Sequence, residues 1–174
     1  SAVARRAAEL APAQYKRLDA LGWVPFDAGG QTAVAPFATF FRGLGKTVAT
    51  IFDQQQPEAR AAIVAACHAP FEQPYAGFEH MLQAEVSPAM QAWFVQWFAG
   101  AGEWPPALAH LIPPNGSPEA AYRAPFLSLF THKKGDDYLT VFFDLCQVGH
   151  FPQTMLGILT ALKNMVVPPV PPVP

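Results

Sequence analysis

Three residues of this chain, Asp53, Gln55 and Glu79, are of types that can bind a divalent metal ion. Asp53 directly follows the apolar run TVATIF at residues 47–52, and a carboxylate placed there is a typical ligand of Mg²⁺. Gln55, two residues later, offers only a neutral amide oxygen and is a weaker ligand. Glu79 lies among apolar residues in GFEHML at 77–82. The alternative interpretations are structural: Asp53 caps the helix that follows it, and Glu79 is a solvated helix position.

A basic doublet, Lys133 and Lys134, precedes a glycine between two apolar segments. A lysine at such a place could contact a scissile phosphate and stabilise the charge that develops in the transition state. The alternative is an ordinary solvated turn between two helices. The histidines have no HxxxH or HxH spacing, and the sequence contains no P-loop, GxGxxG or GxSxG motif. Histidine metal sites, nucleotide binding and serine hydrolysis therefore have no support.

The composition is that of one folded domain with an unusually uncharged surface. The chain has 174 residues, 51% of them hydrophobic and only 14% charged, against about 25% charged residues in an average domain. So low a charge favours an obligate partner or a domain that belongs to a longer protein. The absence of an initiator Met leads us to expect a chain that begins inside a longer or processed protein. The net charge of −2 excludes a simple electrostatic DNA coat. Cys67 and Cys146 have no CxxC spacing and are expected to be buried.

The elements that must position these residues alternate along the first 70 residues as helix, strand, helix, strand and helix. We predict strands at 23–27 and 47–52 and helices at 33–43 and 57–67. This alternation implies a parallel sheet, in which functional groups collect at the carboxyl ends of the strands. The strands at 23–27 and 47–52 are expected to be neighbours, with Asp53 at the sheet's functional edge.

The second half is predicted to be helical, after a short strand or loop and a brief helix from about residue 76. Further helices are predicted over 87–100, 117–131, 136–147 and 152–166. The first of these begins with Ser87 as N-cap and Pro88, and carries four large aromatic residues typical of a core or an interface. No apolar run reaches the roughly 18 residues of a membrane helix, and arginines interrupt the N-terminal stretch, so we expect no membrane and a cytoplasmic setting.

Taken in order, these segments resemble the Toprim domain of the OLD (overcoming lysogenisation defect) family of ATP-dependent nucleases. The matching segments are FDAGG at 26–30, LGK at 44–46, the strand ending in Asp53, GFEHML at 77–82, KKG at 133–135, and 138–163. The match spans nearly the whole chain and rests on the order of weak motifs. It implies an α/β fold, with a small parallel sheet flanked by helices and a helical C-terminal end. The implied domain covers 1–166, with a helical insert at 84–132, before a proline-rich, extended tail at 167–174.

The resemblance implies metal-dependent endonuclease activity. Domains of this family bind Mg²⁺ or Mn²⁺, hydrolyse phosphodiester bonds by a two-metal mechanism, and adjoin an ABC-type ATPase that dimerises. The implied partners are therefore DNA, an ATPase domain of the same or a partner chain, and a second copy, in a phage-defence role. By the same match, Asp53 is the first acid of the family's DxD motif, Glu79 its downstream acid, and Lys134, or Lys133, its catalytic lysine.

Two departures from the family keep a second function open. Gln55 stands where the second DxD acid would be, which removes a negative charge from the metal site. The family's opening strand and its glutamate are also missing, because Ser1 begins about where they would end. The alternative is a catalytically degenerate, Toprim-like scaffold that binds a partner protein. Gln55 and the low charge favour the scaffold, whereas Asp53 with Lys134 favours the enzyme.

Overall fold

The computed structural model describes residues 2–132 and 136–165. The helices are α1 (Ala2–Leu10), α2 (Gln31–Gly43), α3 (Pro57–Ala66), α4 (Phe78–Glu85), α5 (Pro88–Gly100), α6 (Arg123–His132), α7 (Asp136–Leu145) and α8 (Gln153–Asn164), and the strands are β1 (Ala49–Phe52) and β2 (Ala69–Glu72). Short 3₁₀ helices lie at Asp19–Leu21, Pro106–Leu111, Glu119–Tyr122 and Val148–His150. The chain divides into two compact units. We call residues 3–76 with 156–165 the strand unit, and 77–155 the helical unit.

The sheet of the strand unit is parallel, as predicted, but one of its strands is not the predicted one. β1 pairs with β2, so that Ala49 lies opposite Ala69 and α3 forms the crossover. The predicted strand at 23–27 is wrong, because that segment forms no strand. Pro25 has no N–H to donate to a ladder. The fold class is therefore α/β in a mostly helical form, and it contains a single parallel strand pair within the described residues.

Local start and stop signals set the helix bounds where the sequence predicted them. The Ser87 hydroxyl accepts a hydrogen bond from the Met90 N–H at 3.2 Å, so α5 has the predicted cap followed by proline in its first turn. Pro57 likewise begins α3. α2 ends just before Gly45, whose φ of +72° is a conformation that glycine adopts without strain. These helices are confirmed to within a few residues.

Small side chains form the contact between α2 and the elements beside it in the strand unit. Ala38 of α2 is buried with Ala66 and Cys67 at the end of α3, and Ala35 and Val48 pack against them. Side chains of this size let the two helices approach closely. The large residues of α2 consequently lie on its other faces.

The helical unit has an aromatic core centred on α5. The fully buried ring of Phe94 contacts the rings of Phe98, Phe126, Phe130 and Phe142 at centroid distances of 5.0–6.1 Å. In contrast, Trp93 and Trp97 stack on each other and stay 43% and 39% exposed. The predicted aromatic run thus divides between the core and the surface, and a second copy packing on the tryptophans stays a prediction.

Two further findings concern the whole described chain. Both cysteines, Cys67 and Cys146, are buried, as predicted. Among residues 2–132 and 136–165, every helix is too short or too polar to cross a membrane.

Candidate functional site at the strand ends

Asp53 leaves the carboxyl end of β1 and is held by two glutamine side chains. Its Oδ1 accepts a hydrogen bond from Gln73 Nε2, and its Oδ2 accepts one from Gln31 Nε2 at 3.3 Å. Gln31 is the first residue of α2, and Gln73 directly follows β2. The N-cap of α3 is Gln56, which makes no side-chain cap bond. The structural alternative, in which Asp53 caps this helix, is therefore wrong, and the carboxylate lies at the edge of the sheet.

Gln55 stabilises the turn that follows Asp53. Its Nε2 donates to the backbone carbonyls of Asp53 at 2.9 Å and Gln54 at 3.1 Å. Gln54 N–H donates in turn to the carbonyl of Tyr75 at 3.0 Å. The amide nitrogen of Gln55 thus faces backbone oxygens, which leaves its Oε1 as the atom that could bind a cation. That oxygen carries no charge, so Gln55 can be only the weak ligand that the sequence predicts.

Glu72, which the sequence interpretation did not single out, ends β2 beside the end of β1. Its Oε2 accepts from Arg60 Nε at 2.5 Å, and its Oε1 accepts from Gln55 N–H at 3.2 Å. The hydrogen bond from Arg60, followed by that from the Gln55 N–H, lowers the pKa of Glu72 below its ordinary value. Glu72 is therefore a carboxylate at neutral pH. Asp53 was selected because it lies at the carboxyl end of a predicted strand. The same criterion would select Glu72 if residues 69–72 were predicted firmly as a strand.

The donor atoms at the strand ends suit a hard divalent cation in type. Asp53 has carboxylate oxygens and Gln55 has an amide oxygen, whereas the carboxylate of Glu72, at the adjacent strand end, contacts Arg60 and the Gln55 N–H and not the partners of the Asp53 carboxylate. Mg²⁺ is commonly held by one or two carboxylates, with waters and phosphate oxygens completing its shell. Within residues 2–132 and 136–165, no group of three or more His, Cys, Asp or Glu side chains could hold a metal. A cation here would thus depend on two carboxylates at most, together with its substrate.

Glu79 lies in the helical unit, as the second residue of α4. Its carboxylate folds back toward Gly77, so that a Cβ added to Gly77 would lie only 2.9 Å from Glu79 Oε2. A negative charge in this place interacts favourably with the positive end of the helix dipole. Asp53 belongs to the strand unit, and a metal site shared by Asp53 and Glu79 stays a prediction.

The two predicted catalytic lysines, Lys133 and Lys134, lie outside the described residues. In the chain they fall between the end of α6 at His132 and the start of α7 at Asp136. Their catalytic role stays a prediction.

Comparison with known proteins identifies no relative of this chain. No family model, no curated protein and no solved structure matches the chain. The resemblance to the OLD-family Toprim domain therefore depends on its motifs alone.

Proposed function

We propose that this chain is a Toprim-type nuclease domain that hydrolyses phosphodiester bonds with Mg²⁺ or Mn²⁺. The observation that supports this most is the position of Asp53 and Glu72 at adjacent carboxyl ends of a parallel strand pair. Ligands of open α/β sheets bind outside that edge. An ABC-type ATPase domain and DNA are the partners that this proposal entails.

In the proposed site, the residues of this chain divide into ligands and positioning groups. Asp53, with the Oε1 of Gln55, would hold the cation, which would supply activation of water and stabilisation of the leaving oxygen. Gln31 and Gln73 orient the Asp53 carboxylate through their amide N–H groups. Arg60 lowers the pKa of Glu72 through its hydrogen bond. The resemblance to the OLD-family Toprim domain proposes Glu79 as a further ligand.

The scaffold is the second candidate, and the hydrogen bonds of the two carboxylates favour it. Both oxygens of Asp53 already accept amide donors, and both oxygens of Glu72 accept donors from Arg60 and Gln55. The carboxylates are thus satisfied without a metal. In this alternative, the strand ends are structural, and the chain acts by binding another protein.

Calorimetric titration with Mn²⁺ tests the metal site on the intact chain. The Asp53→Asn variant removes the charge and retains the shape, and Asp27→Asn is its matched control. Asp27 is an exposed loop carboxylate that accepts a local bond from the Gly29 N–H at 2.8 Å. We expect a binding heat for the unmodified chain and for Asp27→Asn, and none for Asp53→Asn. Equal heats for all three would reject the site.

The catalytic lysine is tested by nicking of supercoiled plasmid with the full-length protein. Loss of one electrostatic contact to a transition state costs on the order of 100-fold in rate, and the adjacent Lys133 can compensate in part. We therefore expect Lys134→Ala to lower Mg²⁺-dependent cleavage at least about tenfold with little change in DNA binding, and Lys133→Ala to do less. Unchanged cleavage by the double variant would exclude the role. Absence of cleavage by the unmodified protein with either metal would favour the scaffold.

A further inference from the structure

The outer side of α2 carries large apolar residues that stay 38–58% exposed. Its inner side uses Ala35 and Ala38 to contact Ala66 of α3, Cys67 and Val48. On the outer side, Phe37, Phe40 and Leu44 follow at the spacing i, i+3 and i+7, and Phe40 and Leu44 are each 58% exposed. A helix normally buries its large residues and exposes its small ones. The reversal on α2 indicates a surface that another element covers.

The segment that leads into α2 extends this surface. Phe26 places its ring 4.8 Å from that of Phe37 and 5.2 Å from that of Phe41, both edge to face. Phe40 and Phe41 are similarly arranged at 5.4 Å. We call these four rings together with Leu44 the aromatic face. Ring edges and planes alternate along it, and exposed aromatic rings are the side chains on which polyproline II segments dock.

We propose that the aromatic face binds the proline-rich tail of this same chain, residues 167–174, which lie outside the described residues. The place where α8 ends supports this occupant. Lys163 Nζ donates to the carbonyls of Ala13 at 3.3 Å and Gln14 at 2.8 Å, and Trp23 Nε1 donates to the carbonyl of Leu162 at 3.3 Å. The last turn of α8 is thus held beside Trp23. The aromatic face begins three residues further along the chain.

The length of the tail fits the distance it must cover. Three residues of extended chain from Trp23 to Phe26 span at most about 11 Å, and the helical stretch from Phe37 to Leu44 is about 10 Å long. Eight residues in polyproline II conformation extend over about 25 Å. A tail that starts at the end of α8 can therefore reach the aromatic face and lie along it.

The chemistry of the tail also fits this surface. Its sequence, VPPVPPVP, has no charged or polar side chain and repeats every three residues. Polyproline II has three residues per turn, so that conformation would align Val167, Val170 and Val173 along one side and prolines along the others. Every side of such a segment is apolar. Proline also restricts the chain before binding, which lowers the entropy lost on docking.

The test uses a chain that ends at Met165 and a fluorescently labelled VPPVPPVP peptide added in trans, with anisotropy as the readout. A short tether gives an effective concentration of about 1 mM. If the peptide binds the truncated chain with a Kd of about 100 µM, it should bind the intact chain about tenfold more weakly, because the tail competes. Failure to bind the truncated chain would overturn the proposal, and so would equal binding to both chains.

Variants of the truncated chain locate the binding site. Phe37→Ala with Phe40→Ala removes two exposed rings and should abolish peptide binding. Trp93→Ala removes an exposed ring of the helical unit and is the matched control, which should bind the peptide normally. If light scattering instead shows that truncation alone produces a dimer that excludes the peptide, a second copy is the occupant and the tail is not. None of these outcomes depends on metal binding or nuclease activity.

Discussion

The hydrogen bond between Gln73 and Asp53 should contribute measurably to the stability of the strand pair. Gln73 is only 4% exposed, and its side-chain amide donates to the Asp53 carboxylate. A hydrogen bond to a charged group contributes about 1.5–3 kcal/mol, and the buried donor becomes costly when its acceptor is removed. The second bond, from the exposed Gln31, should add less than about 1 kcal/mol. We expect Asp53→Ala to destabilise the strand unit by about 2–3 kcal/mol, and Asp53→Asn by less, since its amide oxygen can still accept from Gln73.

Native-state amide exchange measures the loss of stability in the strand unit alone. A single unfolding curve of a chain with two units would not separate that loss from the stability of the helical unit. The reporters are the N–H groups of Gln73 and Gln54, which donate to the carbonyls of Phe52 and Tyr75. A loss of 2 kcal/mol corresponds to roughly 30-fold faster exchange. The Asp53→Ala, Gln73→Ala and double variants form a double-mutant cycle, for which we expect a coupling of at least about 1.5 kcal/mol. A coupling below about 0.5 kcal/mol would refute the reasoning.

Two further perturbations have expected outcomes. Arg60→Gln should raise the pKa of Glu72 toward its ordinary value, because the hydrogen bond from the guanidinium is the main cause of the lowered pKa. A ¹³C titration of the Glu72 carboxyl carbon measures this pKa, and an unchanged value would contradict the prediction. Since the folded-state pKa is depressed, this pair stabilises the fold above the ordinary glutamate pKa, and its contribution is lost as the pH falls through the lowered value. Phe94→Ala should destabilise the helical unit by about 3–5 kcal/mol, whereas the exposed Trp93→Ala should cost less than about 1 kcal/mol; exchange of the α5 amides measures both, and equal effects would show that the core is not centred on Phe94.

The sequence predicted helices well because their ends depend on adjacent residues. Ser87 and Pro88 define the start of α5, and Pro57 defines that of α3, through capping and a fixed φ that act within one turn. Such signals operate before any tertiary contact forms. The remaining differences are confined to a few terminal residues, where helices fray.

The strands were harder to predict because a strand is defined by its partner. Residues 23–27 have an apolar composition that suits a strand, but they form none, and Val24 is almost fully exposed. The true partner of β1 is the four-residue β2, which contains Pro70 and therefore has a weak local strand pattern. Proline is tolerated there because a two-stranded sheet consists of edge strands only.

The same dependence explains which site residues the sequence could indicate. Asp53 follows a strongly apolar strand and was found from its position. Glu72 and Gln73 acquire their places only once β2 pairs with β1, and Arg60 reaches Glu72 across 12 positions of sequence. No local pattern encodes such contacts.

The hydrogen bonds at the strand ends bear directly on the choice between enzyme and scaffold. A cation that approaches Glu72 must compete with the positive charge of Arg60, and one that approaches Asp53 must displace the amides of Gln31 and Gln73. Gln55 adds no negative charge to offset these costs. Weak cation affinity is therefore expected of the chain alone. An active nuclease would need a further carboxylate and the phosphates of its substrate at this edge, because only added negative charge can shift the competition toward the metal.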